Sequence, residues 1–271
     1  MMFTLSPEQA DLAGVLHGFL AAGRTDLAAL GLHEVTDPVD LVVVFEELGH
    51  HAVAGPLVES LAVVPALTGS PDGVSCSVAF PPLLPHAVAA DRYLLVDGDT
   101  LHEATATAEL QSVDPARRLV ELAAGAVLAT GVPTSRAFDL GVLTCSAQLL
   151  GLGRALLELT TSHAKARAQF GKPIGQFQAV KHHLANVLIG LELARPLVHG
   201  AAVTMTTRDV SAAKVATSDA AWQAARTALQ VHGAIGYTEE HELGRFLLQT
   251  RALRTAWGSP SMHRARVLEA L

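Results

Sequence analysis

Two segments of the chain combine residue types that could hold a phosphate-bearing ligand. The first is Arg167-Ala168-Gln169-Phe170-Gly171-Lys172-Pro173-Ile174-Gly175-Gln176-Phe177-Gln178-Ala179-Val180-Lys181. The second is Gln230-Val231-His232-Gly233-Ala234-Ile235-Gly236-Tyr237-Thr238. Each reads as a helix–turn boundary with a guanidinium or an amide beside flexible backbone. Arg167 offers a planar fork that matches paired phosphate oxygens. Gly233 and Gly236 lack Cβ, so backbone N–H groups there can approach an anion closely. The same segments also suit ordinary turns of a helical bundle with Arg167 solvated, and the residues alone leave both readings open.

Other chemistries find less support. The 13 histidines include the adjacent pairs His50-His51 and His182-His183. A metal site on helices wants ligands one turn apart on one face. Adjacent histidines point to different faces, and no HExxH or ExxH pairing between facing helices is readable, so no metal site is expected. Gly151-Leu152-Gly153 lacks the third glycine and the preceding strand of a dinucleotide fingerprint. Gly171-Lys172 is followed by Pro173 where a phosphate-binding loop needs Ser or Thr. No GxSxG nucleophile elbow occurs.

The elements that must position these residues are mostly helices. The 271 residues are 50% apolar, only 4% aromatic and 17% charged, so the apolar content is Ala, Leu and Val, the mix of a packed helical protein. A net charge of −7 offers no basic stripe for a phosphate backbone, which argues against nucleic acid. Two widely separated cysteines and a polar N-terminus suggest a reducing, cytoplasmic setting. No apolar run is expected to cross a bilayer.

Ser6-Pro7-Glu8-Gln9 predicts a capped helix start, with Gln9 completing a capping box. Asp37-Pro38 repeats the cap-plus-proline signal ahead of Val39, Val42, Val43 and Phe45. Residues 1–68 therefore read as an N-terminal helical domain. Pro, Gly, Asp, Ser and Thr then rise, and β-prone runs appear at Val74–Val78 and Arg92–Val96, the second followed by the turn pair Asp97-Gly98. Residues 69–131 read as a small, truncated β section. From 132 to 271 four helices with short breaks argue a four-helix bundle. Its second helix carries a seam of Phe177, Val180, Leu184, Val187, Leu191, Ala194 and Val198. The fold class is mainly α.

The first motif resembles the RxxFGxPIGxFQ signature of the acyl-CoA dehydrogenases, and the second their QxxGGxGYT turn. Phe45-Glu46-Glu47-Leu48-Gly49, Gly55-Pro56-Leu57 and the order of the three regions extend the likeness over nearly the whole chain. The resemblance implies an N-terminal α domain, a β domain and a C-terminal four-helix bundle. It implies FAD lying across a subunit interface, with the ADP half held by a neighbouring subunit. The residues matching that contribution are Arg167, Phe170, Phe177, Gln178, Gln230, Gly233 and Ala234. Ala234 departs from the family, which usually has a second glycine there.

Two family features have no match. The β section lacks a flavin-ring pattern like xTExxAGSD. The two family positions for the glutamate base fall on Trp257 and Gly141, neither of which can take a proton, so no catalytic residue is assigned. Asp139 is expected to cap a helix before Leu140, and Glu239, Glu240 and Glu242 to form a solvated helix start. The resemblance therefore implies the FAD-binding subunit of a hetero-oligomeric acyl-CoA dehydrogenase, of the kind acting on steroid side chains and similar bulky acyl-CoAs. A longer acyl-CoA dehydrogenase subunit would complete a heterotetramer, with an acyl-CoA substrate and an electron-transfer flavoprotein as acceptor. A self-sufficient flavin dehydrogenase with a non-standard base, and a structural subunit that binds no nucleotide, stand as alternatives.

Overall fold

The structure, a computed structural model, describes residues 5–24, 26–70, 75–238 and 241–271. Val74 of the first β-prone run, and Glu239 and Glu240, lie outside the described residues.

Helix α1 spans Pro7–Ala21. Ser6 accepts from the Gln9 amide while the Gln9 side chain returns to the Ser6 N–H, the reciprocal capping box anticipated from the sequence. Helix α2, Pro38–His50, starts on Asp37, whose carboxylate accepts from the Val39 and Asp40 amides. A π-helical segment, Glu59–Val63, leads into the short helix α3, Val64–Thr68.

The β section is one five-stranded sheet. Its strands are β1 (Cys76–Ala79), β2 (His86–Val88), β3 (Arg92–Asp97), β4 (Thr100–Leu110) and β5 (Leu119–Thr130). The order is β1-β3-β4-β5-β2, with only β1 and β3 parallel. Gly98, at φ +61°, sits in the tight β3–β4 turn, and Asp97 pairs with Thr100. The sequence signalled parts of β1 and β3. It did not signal β4 and β5, whose Ala- and Glu-rich outer halves are exposed on both faces and lack the alternation of a half-buried strand.

Helices α4 (Thr134–Ala166), α5 (Gln178–Thr204), α6 (Thr207–His232), α7 (Leu243–Leu253) and α8 (Pro260–Glu269) follow. Helix α4 is the spine and packs on α2, α5, α6 and α7. One continuous apolar core runs from Phe45 and Leu48 through Val96 to Leu149, Leu152 and Ala221. Within the predicted seam of α5, Val187, Leu191, Ala194 and Val198 are buried, while Val180 and Leu184 are half-buried. The opposite face is apolar too: Leu193 is 68% and Ile189 55% exposed.

The expectation that no run could cross a bilayer is corrected. By length and composition alone, α4 and α5 are both long and apolar enough, because runs of Ala, Leu, Val and Gly carry few charges. In α4 that stretch is 89% buried inside the protein, and in α5 39%.

Candidate functional site

Helix α4 ends where Arg167 turns to extended backbone (φ −76°, ψ 120°). The chain then makes a miniature hairpin of β6 (Ala168–Gln169) and β7 (Lys172–Pro173). Phe170 (φ +54°) and Gly171 (φ +80°) form its two-residue turn, and two successive left-handed residues are what a type I′ turn demands. Glycine takes this conformation freely, whereas an aromatic residue there costs about 1–2 kcal/mol. Phe170 is nonetheless 91% exposed, so no burial within the chain offsets the strain. The Ile174 N–H donates to the Arg167 carbonyl at 2.8 Å and closes the hairpin. Phe177 sets the start of α5, its ring edge-on to Phe170 at 6.1 Å and 4.5 Å from the Lys172 ammonium. Gln178 opens α5 and is exposed. Arg167 forms no ion pair with a described carboxylate.

The second motif closes α6. Gln230 is exposed on its last turn, and Gly233 (φ +64°, ψ −139°) breaks the helix in a conformation that suits glycine. A 3₁₀ turn, Gly233–Tyr237, follows. Ala234 is exposed and outside the left-handed region, so its methyl costs no backbone strain. The end of α4 that leads into the first motif meets the second: the ring of His163, four residues before Arg167, stacks on the His232 ring at 4.2 Å. His232 Nδ1–H donates to the Ala228 carbonyl at 2.7 Å. Burial pushes both imidazoles below their usual range, and His163 is lowered further by His232, His241 and Arg167. Two neutral rings can stack where two imidazolium rings would repel. Along the C-terminal half of α6 opens a cleft of about 670 Å³ lined by His183, Asp219, Trp222, Arg226, Gln230 and Tyr237. Gln230 is the one predicted ligand residue on it.

The donor set fits the ADP half of FAD. A free guanidinium, two exposed amides and an exposed aromatic ring suit phosphate oxygens and an adenine face. All are displayed outward instead of enclosed.

The two positions matched to the family's base, far apart in sequence, are in direct contact. A Cβ on Gly141 would lie 2.5 Å from Cζ3 of Trp257. Trp257 is fully buried and packs against Phe80 and Phe138, each ring 5.7 Å away. The indole thus fills the space that a side chain at 141 would need. Glu59, which sequence reasoning missed, is buried nearby, 3.9 Å from Arg117, and burial raises its carboxyl above the usual range. It borders a cavity of only about 20 Å³ shared with Trp257, room for one water and no acyl chain.

Asp139 is not a helix cap. It lies inside α4, buried, accepting from Thr207 Oγ1 at 2.6 Å and pairing with Arg266 at 2.7 Å, so it ties α4 to α6 and α8. Glu242 is exposed just ahead of α7 and 3.7 Å from Arg245.

Beneath Trp257, His263 accepts at Nδ1 from the Ser211 hydroxyl (3.1 Å) and donates through Nε2 to the Trp257 carbonyl (2.8 Å). Burial above all pushes its pKa from 6.5 to about 4, against the raising effect of that carbonyl. The folded value lies below the unfolded one. Stability is therefore complete above pH 6.5 and falls as the pH drops from 6.5 to about 4, because only the unfolded chain takes up the proton there. The expected loss is about 3 kcal/mol. Urea unfolding at pH 7 and pH 4.5 measures it, and His263→Gln should flatten that part of the profile.

The histidines also depart from expectation. Helix α2 ends at His50, and His51 leaves helical geometry, so the two side chains turn to the same place, with ring centroids 5.1 Å apart. Glu47-x-x-His50 was a readable one-turn spacing, and its partner is His17 on α1. His17 Nδ1 lies 2.9 Å from Glu47 Oε2 and 3.2 Å from His51 Nε2.

Comparison with known proteins accords with this architecture. The acyl-CoA dehydrogenase C-terminal domain matches residues 131–271. The chain is 31% identical over 244 residues to the acyl-CoA dehydrogenase IpdE2 of Mycolicibacterium smegmatis, covering 85% of this chain and 78% of that protein. Its fold matches butyryl-CoA dehydrogenase from Megasphaera elsdenii with a TM-score of 0.83 at 20% identity, covering 100% and 99% of the two chains. The ChsE4–ChsE5 complex from Mycobacterium tuberculosis matches with a TM-score of 0.82 at 20% identity, covering 99% and 98%. With the bundle, both glycine-containing turns and these matches in place, the chain belongs to the acyl-CoA dehydrogenase family.

Proposed function

We propose that this chain is the FAD-sharing, non-proton-abstracting subunit of a hetero-oligomeric acyl-CoA dehydrogenase. The activity of the assembly is α,β-dehydrogenation of an acyl-CoA thioester, with a bulky, steroid-type acyl group as the proposed substrate class and an electron-transfer flavoprotein as acceptor. The flavin, when bound, accepts the hydride. This chain's residues hold and orient its ADP half: Arg167 on the phosphates, Gln178 and Gln230 as amide partners, Phe170 and Phe177 as apolar walls, and the Gly233–Ala234 backbone as the close approach. The catalytic glutamate and the ring contacts come from a longer family member.

The observation that carries this reading is the contact between Trp257 and Gly141. A self-sufficient enzyme needs a carboxylate within reach of the substrate α-carbon; at the two positions matched to the family's base this chain has Gly141 and Trp257, and the space a side chain at 141 would need is filled by the indole. The outward apolar face of α5, with Leu193 and Ile189 exposed, supports assembly with a second subunit. Arg167 and Gln178 argue against a purely structural partner, since a scaffold has no need of a free fork and amide at the end of a bundle.

The test is flavin content. The chain purified alone should retain little FAD, and co-purification with a longer family member should yield a yellow complex. Arg167→Ala should weaken FAD retention in that complex about tenfold or more, the equivalent of roughly 1.5–3 kcal/mol for a charge-assisted contact. Arg167→Lys should restore it only in part, for lack of the fork. Tight stoichiometric FAD on the isolated chain, or unchanged retention in Arg167→Ala, would overturn the assignment.

A further inference from the structure

We propose that His17, Glu47, His50 and His51 form a structural binding site for one borderline divalent transition-metal ion of the zinc class, clipping α1 to the C-terminal end of α2. The cluster lies in the N-terminal helical region and takes no part in the flavin reading.

The four side chains each offer a ligand atom, and these atoms lie within 4.8 Å of one another. The closest pairs are Glu47 Oε2 to His17 Nδ1 at 2.9 Å and His17 Nδ1 to His51 Nε2 at 3.2 Å. Ligand bonds of about 2.0–2.1 Å in a tetrahedral zinc site place neighbouring ligand atoms roughly 3.3 Å apart, so these pairs already stand near that spacing. The wider pairs must draw in by about an ångström or somewhat more, which long imidazole side chains at a helix end can do. Three imidazoles and one carboxylate are a nitrogen-rich, closed ligand set, which suits zinc, nickel or cobalt better than magnesium or calcium.

Hydrogen bonding within the cluster makes Glu47 and His51 compete for the one site on His17 Nδ1. His17 Nδ1 faces both a carboxylate oxygen and a second imidazole nitrogen. If its proton goes to Glu47, it has no lone pair to receive one from His51. If it accepts from His51, its lone pair faces the carboxylate. A single cation satisfies all three atoms together.

The surroundings have the form of an outer shell. The His50 Nε2 pairs with Glu158 on α4 at 2.9 Å, while its Nδ1 is buried without a partner. A carboxylate on one imidazole nitrogen orients the ring and raises the basicity of the other. The second oxygen of Glu47 is held by Arg154 at 3.4 Å, and Arg154 also grips Glu46 at 2.6 Å. The backbone ends in the right sense as well, since the negative end of the α2 dipole faces the site. His17 is about half exposed, which leaves an entry path for the ion.

The test uses the purified chain, in whatever complex it is stable, stripped with a chelator and free of any affinity tag. Equilibrium dialysis against Zn²⁺ should give one tightly held equivalent per chain at micromolar metal, and none of Mg²⁺. Co²⁺ in place of Zn²⁺ should show the intense visible absorption of a tetrahedral site. Zn²⁺ at a hundredfold excess over its dissociation constant should raise the Tm by about 5 °C or more. His17→Ala and His51→Asn, both replacing side chains in contact with solvent, should each weaken Zn²⁺ at least tenfold and abolish the cobalt band, with far-UV circular dichroism unchanged. Less than one equivalent bound, binding that survives either variant, or a preference for Mg²⁺ overturns the proposal.

Discussion

Replacing Trp257 with alanine is expected to cost about 3–5 kcal/mol of stability, the range for deleting a large buried aromatic side chain. The ring is fully buried and is the shared partner of Phe80, Phe138 and the bare Cα of Gly141, so its removal leaves a cavity on several sides at once. Gly141→Ala should also destabilise when made alone, because its methyl would lie 2.5–2.8 Å from the indole. In the Trp257→Ala background the same methyl enters empty space. The two changes should therefore be strongly coupled, and a double-mutant cycle by urea unfolding measures that coupling. Additive losses would mean that the two positions do not share one volume. For the proposed two-subunit dehydrogenase assembly the expectation differs in kind. Trp257→Phe should leave turnover per bound flavin nearly unchanged, since no proton-transfer group is lost. Removing the partner's glutamate should cost on the order of 10²–10⁴-fold or more. A large fall in kcat for Trp257→Phe in a complex that keeps its FAD and its Tm would contradict the assignment.

Gly151→Ala should be comparably damaging, by a different cause. A Cβ at 151 would fall on the carbonyl oxygen of Glu46 and within 2.7 Å of the His50 amide nitrogen. Gly49 mirrors it from α2, since a Cβ there would fall on the carbonyl of Gln148. The two helices cross backbone to backbone, and neither obstacle is a side chain that can rotate away. The helices must separate, losing contacts around Phe45, Leu48 and Leu152. The expected cost is about 3 kcal/mol or more, the upper end for overpacking, or a fall in Tm of roughly 10 °C. Gly14→Ala on α1 is the matched control: nothing lies within 4 Å of its added methyl, and the helix propensity gain should leave stability equal or slightly higher. Thermal unfolding of the two variants side by side decides the matter, and an unchanged Tm for Gly151→Ala would rule out the close crossing. The glycine pair at 151 and 153 is thus a packing device, as its poor fit to a dinucleotide fingerprint suggested.

What the sequence determined by itself was local. Ser6 with Gln9, and Asp37 with Pro38, start helices because the donors they satisfy are within three residues. Asp97-Gly98 turns the chain, and Phe170-Gly171 breaks it, because backbone conformation there depends on one or two residues. The two motifs that resemble the family's were likewise legible as continuous strings, and the family they indicated is the one to which the chain belongs. The tertiary structure decided whatever depended on distant partners. Strands β4 and β5 are Ala- and Glu-rich and exist because they pair with each other, not because their residues favour extension. Asp139 looked like a cap, but α4 begins five residues earlier, so its carboxylate sits on a buried turn facing Thr207 and Arg266. Trp257 and Gly141 share one volume, and His17 joins Glu47, His50 and His51, only because helices far apart in sequence pack side by side. Burial, and the company a side chain keeps across such packing, have no local signature; they arise when the core closes.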